Sequence, residues 1–393
     1  MSSDPRTHSL SETCAQRGPN RPLHTKGGSP NYVEKSLAAA AEPFKGITSD
    51  GNVIPGLFSV QKTGVSTQSI REAAEAFLGS LNAQQHAKTL FSVDTDRWRK
   101  WSNIHPTLMR HGTPLFEMND AQRDCAFALM RESLSNDGFE EALNIMHLNE
   151  TVQEMTGRLS EYGEDLYWLS IMGAPSATEP WGWQWDGHHL IINYFVLGDQ
   201  VVVTPTFLGA EPVHATTGKY DGLRVFKPDE DRGLALIRAL SDSQRAKTII
   251  AAETSGEDFT TAFRDNLVLD YTGIRYDELS NTQHDLLLNL VEYHVGRTRA
   301  GHAQLKMEEV KRSLKETSFC WMGGMDDDST FYYRVQSPVI IVEFDHQRGI
   351  AFRERTKPYK DHIHVIVRTP NGNDYGKDLL RQHYQYGHHA KQE

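Results

Sequence analysis

His188-His189-Leu190-Ile191-Ile192-Asn193-Tyr194-Phe195-Val196-Leu197 and Gln200-Val201-Val202-Val203-Thr204-Pro205-Thr206-Phe207 flank Gly198-Asp199, and their reading decides the fold. Both halves are rich in β-branched and aromatic residues, and a Gly-Asp pair between two such runs signals a tight β-hairpin. Side chains alternate along a strand. His189, Ile191 and Asn193 therefore share one face, and His188, Leu190, Ile192 and Tyr194 share the other. A given pocket can take only one imidazole of the pair.

Two more extended runs lie far downstream, Phe331-Tyr332-Tyr333-Arg334 through Pro338 to His346, and His362-Ile363-His364-Val365-Ile366-Val367-Arg368. Neither the middle nor the end of the chain supplies enough strands for a durable sheet alone, so the two must pair. Upstream, periodicity is helical. Ile70, Ala73, Ala74, Phe77, Leu78 and Leu81 form a stripe behind a Ser69/Glu72 capping box, and Asn119 with Gln122 opens a second helix. A third follows Gly138. Further helices are expected over 229–245, 281–296 and 302–315. The fold class is α+β, with a mainly helical N-terminal part packed on a mixed or antiparallel sheet built from the middle and C-terminal strands. Residues 1–32, rich in Ser, Pro, Gly and Thr, read as a mobile tail. Residues 33–393 read as a single α+β catalytic-type domain, with a helical subregion at 66–160 and a sheet-containing one at 165–393.

Composition narrows the function classes. The chain has 393 residues, with 52 acidic against 41 basic and a formal net charge of -11. That balance argues against a nucleic-acid or anionic-membrane binder, which needs a basic footprint. No apolar run reaches the length of a membrane span, and no secretory signal core opens the chain. A cytoplasmic protein acting on a small molecule is the expectation. Cys14, Cys125 and Cys320 are odd in number and far apart, so a bound metal would have N and O ligands.

Four constellations carry possible chemistry. His362 and His364 share a strand face with Arg368, and His383 follows on a helical run. Imidazoles in this pattern suit a divalent ion such as Zn, Mn or Fe. Arg368 would grip an anionic substrate group. Trp181-Gly182-Trp183-Gln184-Trp185 leads into His188 and His189, one of which would join the ligands. Trp183, Gln184 and Trp185 would wall the substrate pocket, although core packing suits the tryptophans equally. Glu211, at the end of Thr204-Pro205-Thr206-Phe207-Leu208-Gly209-Ala210-Glu211, is a candidate ligand or general base. Glu343 and Asp345 share a face beside Arg334, which would assist in anion binding, and Arg110 offers a weaker anion-binding arm. Asp374 is the remaining candidate acid or base.

The stretches PFKGITSDG (43–51), GLF (56–58), TGVST (63–67), PWGWQ (180–184), GHHL (187–190), TPTFLGAEP (204–212), FYYRVQSPVIIVEFDH (331–346) and HIHVIVRTPNGNDYGKDLL (362–380) occur in order. Together they resemble a family known as a domain of unknown function, number thirty-five hundred, from about residue 43 onward. The resemblance implies a full-length module rather than a fusion, with the GHHL and HIH histidines as characteristic features. It implies no particular activity.

The leading expectation is a metal-dependent enzyme, hydrolytic, acting on a small polar or aromatic substrate whose anionic group is held by arginine. Three alternatives stand beside it. The same ligands could hold Fe or Cu for oxygen chemistry. His188 or His364 could act with Glu211 or Asp374 as a metal-free lyase or isomerase. The cluster could also belong to a non-catalytic small-molecule binding protein.

Overall fold

A computed structural model describes residues 30–104, 110–352 and 356–387. The expected tail lies outside the described residues except for positions 30–32, which open helix α1 (Pro30–Ala41). The remaining helices are α2 (Gln68–Ser80), α3 (Ala83–Thr89), α4 (Asp120–Ser133), α5 (Asn136–Thr156), α6 (Lys227–Ala239), α7 (Asp242–Thr248), α8 (Asn281–Val295), α9 (Ala300–Arg312) and α10 (Lys377–Gly387). The strands of the first half are β1 (Leu90–Phe91), β2 (Thr113–Pro114), β3 (Tyr167–Met172), β4 (Trp181–Gly187), β5 (Leu190–Leu197), β6 (Gln200–Val202) and β7 (Thr206–Ala210). Those of the second are β8 (Ile249–Ala251), β9 (Ile274–Arg275), β10 (Ser318–Gly323), β11 (Phe331–Gln336), β12 (Ile341–Arg348) and β13 (Pro358–Arg368).

The α+β expectation holds. Among the described residues, all thirteen strands join one mixed sheet, ordered β1-β3-β4-β5-β7-β13-β12-β11-β10-β8, with β2, β6 and β9 paired to β3, β5 and β10. The hairpin forms where Gly198-Asp199 was expected to turn, with Leu197 opposite Gln200. Its second arm breaks at Pro205, which has no N–H to give a ladder. The chain resumes as β7, again beside β5.

Local chemistry also sets the end of one expected helix and splits another. The stripe that starts at Ile70 ends at Ser80, because Asn82 and Gln85 form a reciprocal capping box and start α3. The helix begins at Gln68, after Thr67, so Ser69 caps nothing. In the same way Ser241 caps α7 and separates it from α6. The Asn119/Gln122 box opens α4 as its spacing predicts.

Pairing register assigns each sheet residue to a face, because partners across a ladder point the same way. On one face lie Trp183, Trp185, Tyr194, Leu208, Val365, Phe344, Tyr333 and Trp321. These side chains are buried. Trp183 stacks on Tyr194 at 5.4 Å, Tyr333 on Phe344 at 5.0 Å, and Trp185 meets Phe127 of α4. Burying each such side chain contributes roughly 1.5–3 kcal/mol.

The opposite face carries Gln184, Asp186, Asn193, Gly209, His364, Arg368, Glu343, Asp345 and Arg334. Segments between regular elements lie over it, chiefly residues 254–265 between β8 and β9. Thr254 bonds Asp345, Phe259 and Thr260 bond Glu343, and Arg368 bonds the carbonyls of Thr260 and Thr261.

Candidate metal centre

β13 brings His362 and His364 to the middle of this polar face, between β7 and β12. The third imidazole arrives from an unexpected element. His188 and His189 do not belong to a strand; they form the two-residue turn between β4 and β5, closed by the Gly187–Leu190 pair. His189 takes a left-handed backbone, φ +62°, a cost of about 1–2 kcal/mol for a non-glycine residue. The amide of Gly209 donates to its carbonyl at 2.7 Å, and its own amide donates to the Asn103 carbonyl. The turn sends the two rings to different partners. His189 faces His362 and His364, whereas His188 contacts Asn149 of α5 through Nδ1 at 2.8 Å. The two rings stack, with centroids 3.8 Å apart.

The Nε2 atoms of His189, His362 and His364 form a near-equilateral triangle with sides of 3.0, 3.2 and 3.2 Å. All three residues are buried, at 5%, 2% and 6% exposure. The outer nitrogens fix two tautomers. His362 Nδ1 donates to the Arg348 carbonyl at 2.6 Å, and His364 Nδ1 donates to the Asp258 carboxylate at 2.7 Å. Neutral rings protonated at Nδ1 carry a lone pair at Nε2. The two lone pairs of His362 and His364 repel each other unless a cation, or an Nε2–H of His189, lies between them. With metal–nitrogen bonds of about 2.1 Å, the triangle sets N–metal–N angles of about 90–100°. These residues fit a divalent ion capped on one side by three imidazoles.

The surroundings have the form of a ligand-orienting shell. Asp258 holds His364 with one oxygen and accepts from Gln347 with the other at 2.9 Å; Gln347 also donates to Asp345 at 2.7 Å. Burial, followed by the Asp258 charge, pushes the Asp345 and Glu343 carboxyls above their ordinary range. Gly209 lies under the rings. A Cβ there would sit 2.8 Å from His364 Cδ2 and 3.0 Å from His189 Cδ2, so the two rings need a residue with no side chain at this position. Phe207 packs edge-on against His364 at 4.7 Å.

The other candidates have different places. Glu211 lies behind His362, 3.6 Å from Nδ1, and accepts from the amides of Ile350 and Ala351 and from Tyr359 Oη. It supports His362 rather than joining the triangle. Arg368 spends its guanidinium on Asp265, Asp374 and the carbonyls of Thr260 and Thr261, with no exposed surface. Its expected grip on a substrate gives way to a structural role. Asp374 is the partner that Arg368 holds, and also accepts from the Thr369 amide.

Arg334 is buried against Thr272 and the Asp270 carbonyl, and Arg110 against Asp186 at 2.7 Å. His383 is carried by α10 to Glu179, 3.4 Å away, and does not reach the triad. Trp183 and Trp185 lie on the helix-covered face, across the sheet from the imidazoles, so they pack the core and do not wall the centre. Gln184 shares the polar face but bonds Asn193 and the Trp98 carbonyl. Sequence reading missed Asp258, Asn149 and the role of Gly209. Gly209 was visible inside TPTFLGAEP, whereas Asp258 sits in a stretch with no periodicity to mark it.

Over residues 63–377 the sequence matches the family described as "Protein of unknown function (DUF3500)". The chain belongs to that family. The DUF3500 match spans α2 to β13 and so includes all three imidazoles and Asp258. No curated protein and no solved structure matches the chain. Among the described residues, no helix is long and apolar enough to cross a membrane.

Proposed function

We propose that this DUF3500 protein is a metal-dependent enzyme acting by hydrolysis on a small polar or aromatic organic substrate. The observation that carries the reading is the convergence of three buried Nε2 atoms within 3.2 Å of one another. A divalent ion held there would lower the pKa of a bound water and polarise a substrate carbonyl. The protein's own contribution is orientation. Asp258 and the Arg348 carbonyl keep the protons of His364 and His362 on the outer nitrogens, so both inner nitrogens present lone pairs. The turn at His189 and the bare backbone of Gly209 let the third ring approach. The buried arginines leave substrate anchoring to other groups.

A second reading, oxygen chemistry at Fe, draws support from one observation. Angles of about 90–100° match an octahedral face better than a tetrahedron, and such a face leaves positions for both substrate and oxygen. Metal analysis of protein purified without a histidine tag tests the shared premise. Bound Zn or Mn with chelator-sensitive ester or amide hydrolysis supports the first reading; bound Fe with substrate-dependent oxygen uptake supports the second. Protein that carries no metal and takes up none on titration rejects both.

A further inference from the structure

Across the sheet from the triad, on the helix-covered side, lies a cavity that the metal chemistry does not use. It encloses about 100 Å³. Ile192, Leu208 and Val367 of β5, β7 and β13 line one side, with Ala142 of α5 and Val295 of α8 on the other. Most polar groups around it are already engaged, with the buried His302 Nδ1 the exception. Thr204 donates to Thr369 at 2.8 Å, and Arg297 is held by Glu141 and Asp229. The walls therefore offer a guest apolar surface and little unmet hydrogen bonding. An apolar void of this kind destabilises a protein while it stays empty, because its lining lacks contact partners.

The cavity adjoins a surface groove of about 500 Å³, and Val201, Val202 and Glu309 line both spaces. At the junction Lys306 of α9 donates to Glu309 at 2.6 Å and to the Val339 carbonyl at 2.7 Å. Charge at the mouth is thus balanced. An anionic head would meet Glu309 and a cationic one Lys306, whereas a dipolar head suits both.

We propose that cavity and groove together bind a small neutral amphiphile, with its apolar tail in the cavity and a hydroxyl or carbonyl head at the Lys306–Glu309 pair. Since an apolar cavity of about 150 Å³ admits benzene, this one takes a tail of about four or five carbons. The site is independent of the metal reading, because its walls belong to the other face of the sheet.

Calorimetry and thermal shift on the full chain with 1-pentanol, pentanoate and pentylamine test it. The expected result is saturable 1-pentanol binding with a raised Tm, and at least tenfold weaker binding of the two charged analogues. Ala142→Leu, which fills the cavity, and Val203→Phe, which narrows it, should each abolish that binding and leave metal content unchanged. Either variant suffices if the other fails to fold. Absence of 1-pentanol binding to the wild type overturns the proposal, as does equal binding of all three probes or binding that survives in a folded variant.

Discussion

Along β11 neighbouring residues go to opposite environments. Tyr333 lies under the helices, stacked on Phe344, while Arg334 lies under loop backbone, bonded to Thr272 and the Asp270 carbonyl. The whole sheet repeats this division. One face is held by area and shape among aromatic and branched side chains, which tolerate small shifts because apolar contact is non-directional. The other is held by charged groups that must each find a partner, since an unpaired buried charge is far costlier than a poor apolar contact. The three imidazoles lie on the second face. Directional bonds fix a ring orientation to within tenths of an ångström, which packing alone does not do, and a metal ligand needs that accuracy.

Removing the ligands should give the largest effect. A His362→Ala, His364→Ala double variant is expected to lose all bound metal as read by elemental analysis, with helical content retained in circular dichroism. Retained metal would mean the polar face binds it elsewhere.

Next come two truncations, one from each face. Trp183→Ala should lower stability by ~3–5 kcal/mol through lost packing. Arg368→Met should lower it by a similar ~3–5 kcal/mol by leaving Asp374 without its cation and the Thr260 and Thr261 carbonyls without their donor, while Asp265 keeps Arg99. Denaturant unfolding measures both. Metal affinity separates them, because Arg368 anchors the loop that carries Asp258, whereas Trp183 does not. Equal metal affinity in both variants would erase the distinction between the faces.

Asp258→Asn is a smaller change. It keeps the shape but weakens the bond to His364, and should lower metal affinity about 10–100-fold with little change in Tm. Competitive chelator titration reads it.

The smallest effect is a contrast in pH dependence. His294, on the helix side, is held neutral well below its ordinary pKa by burial and then by Arg297. The unfolded chain therefore binds protons first, and the His294 contribution is lost as pH falls below about 6.5. Asp186 and Asp374, on the polar side, are pushed up to about 6 by burial against the opposing pull of their arginines. Their folded forms keep protons that the unfolded forms release, so their contribution is present near pH 4 and lost as pH rises to about 6. Stability profiles of His294→Gln and Asp186→Asn should flatten with opposite slopes in those windows; slopes of the same sign would contradict the assignment.

Strand alternation in HIHVIVR correctly placed His362, His364 and Arg368 on one face, and the Gly198-Asp199 signal correctly placed the hairpin. Both depend on neighbours in sequence, where periodicity carries the information. The imidazole pair was harder. Alternation correctly implied that one ring of His188 and His189 would enter the centre, but the residues form a turn, and the left-handed backbone of His189 decides which one. Arg368 misled because sequence shows a charge without showing its creditors; Asp265 lies about a hundred positions away. Asp258 left no trace, since loops have no period and its value comes only from where residues 254–265 cross the sheet. His383 fell out of the set because the direction in which α10 leaves β13 is fixed by packing, not by spacing.

The position of β13 has a consequence for how the molecule is made. It is the final strand of the sheet in chain order, yet it lies between β7 and β12, joining two halves already present in the nascent chain. Until it inserts, each half displays an open edge that invites pairing with a foreign strand. Synthesis proceeds from the N-terminus, so His189 and Asp258 wait on separate pieces while His362 and His364 arrive with the strand that closes the gap. If the triad holds an ion as proposed, its capture would report that translation has passed β13. A prematurely terminated chain lacking β13 would have neither a complete centre nor a continuous sheet.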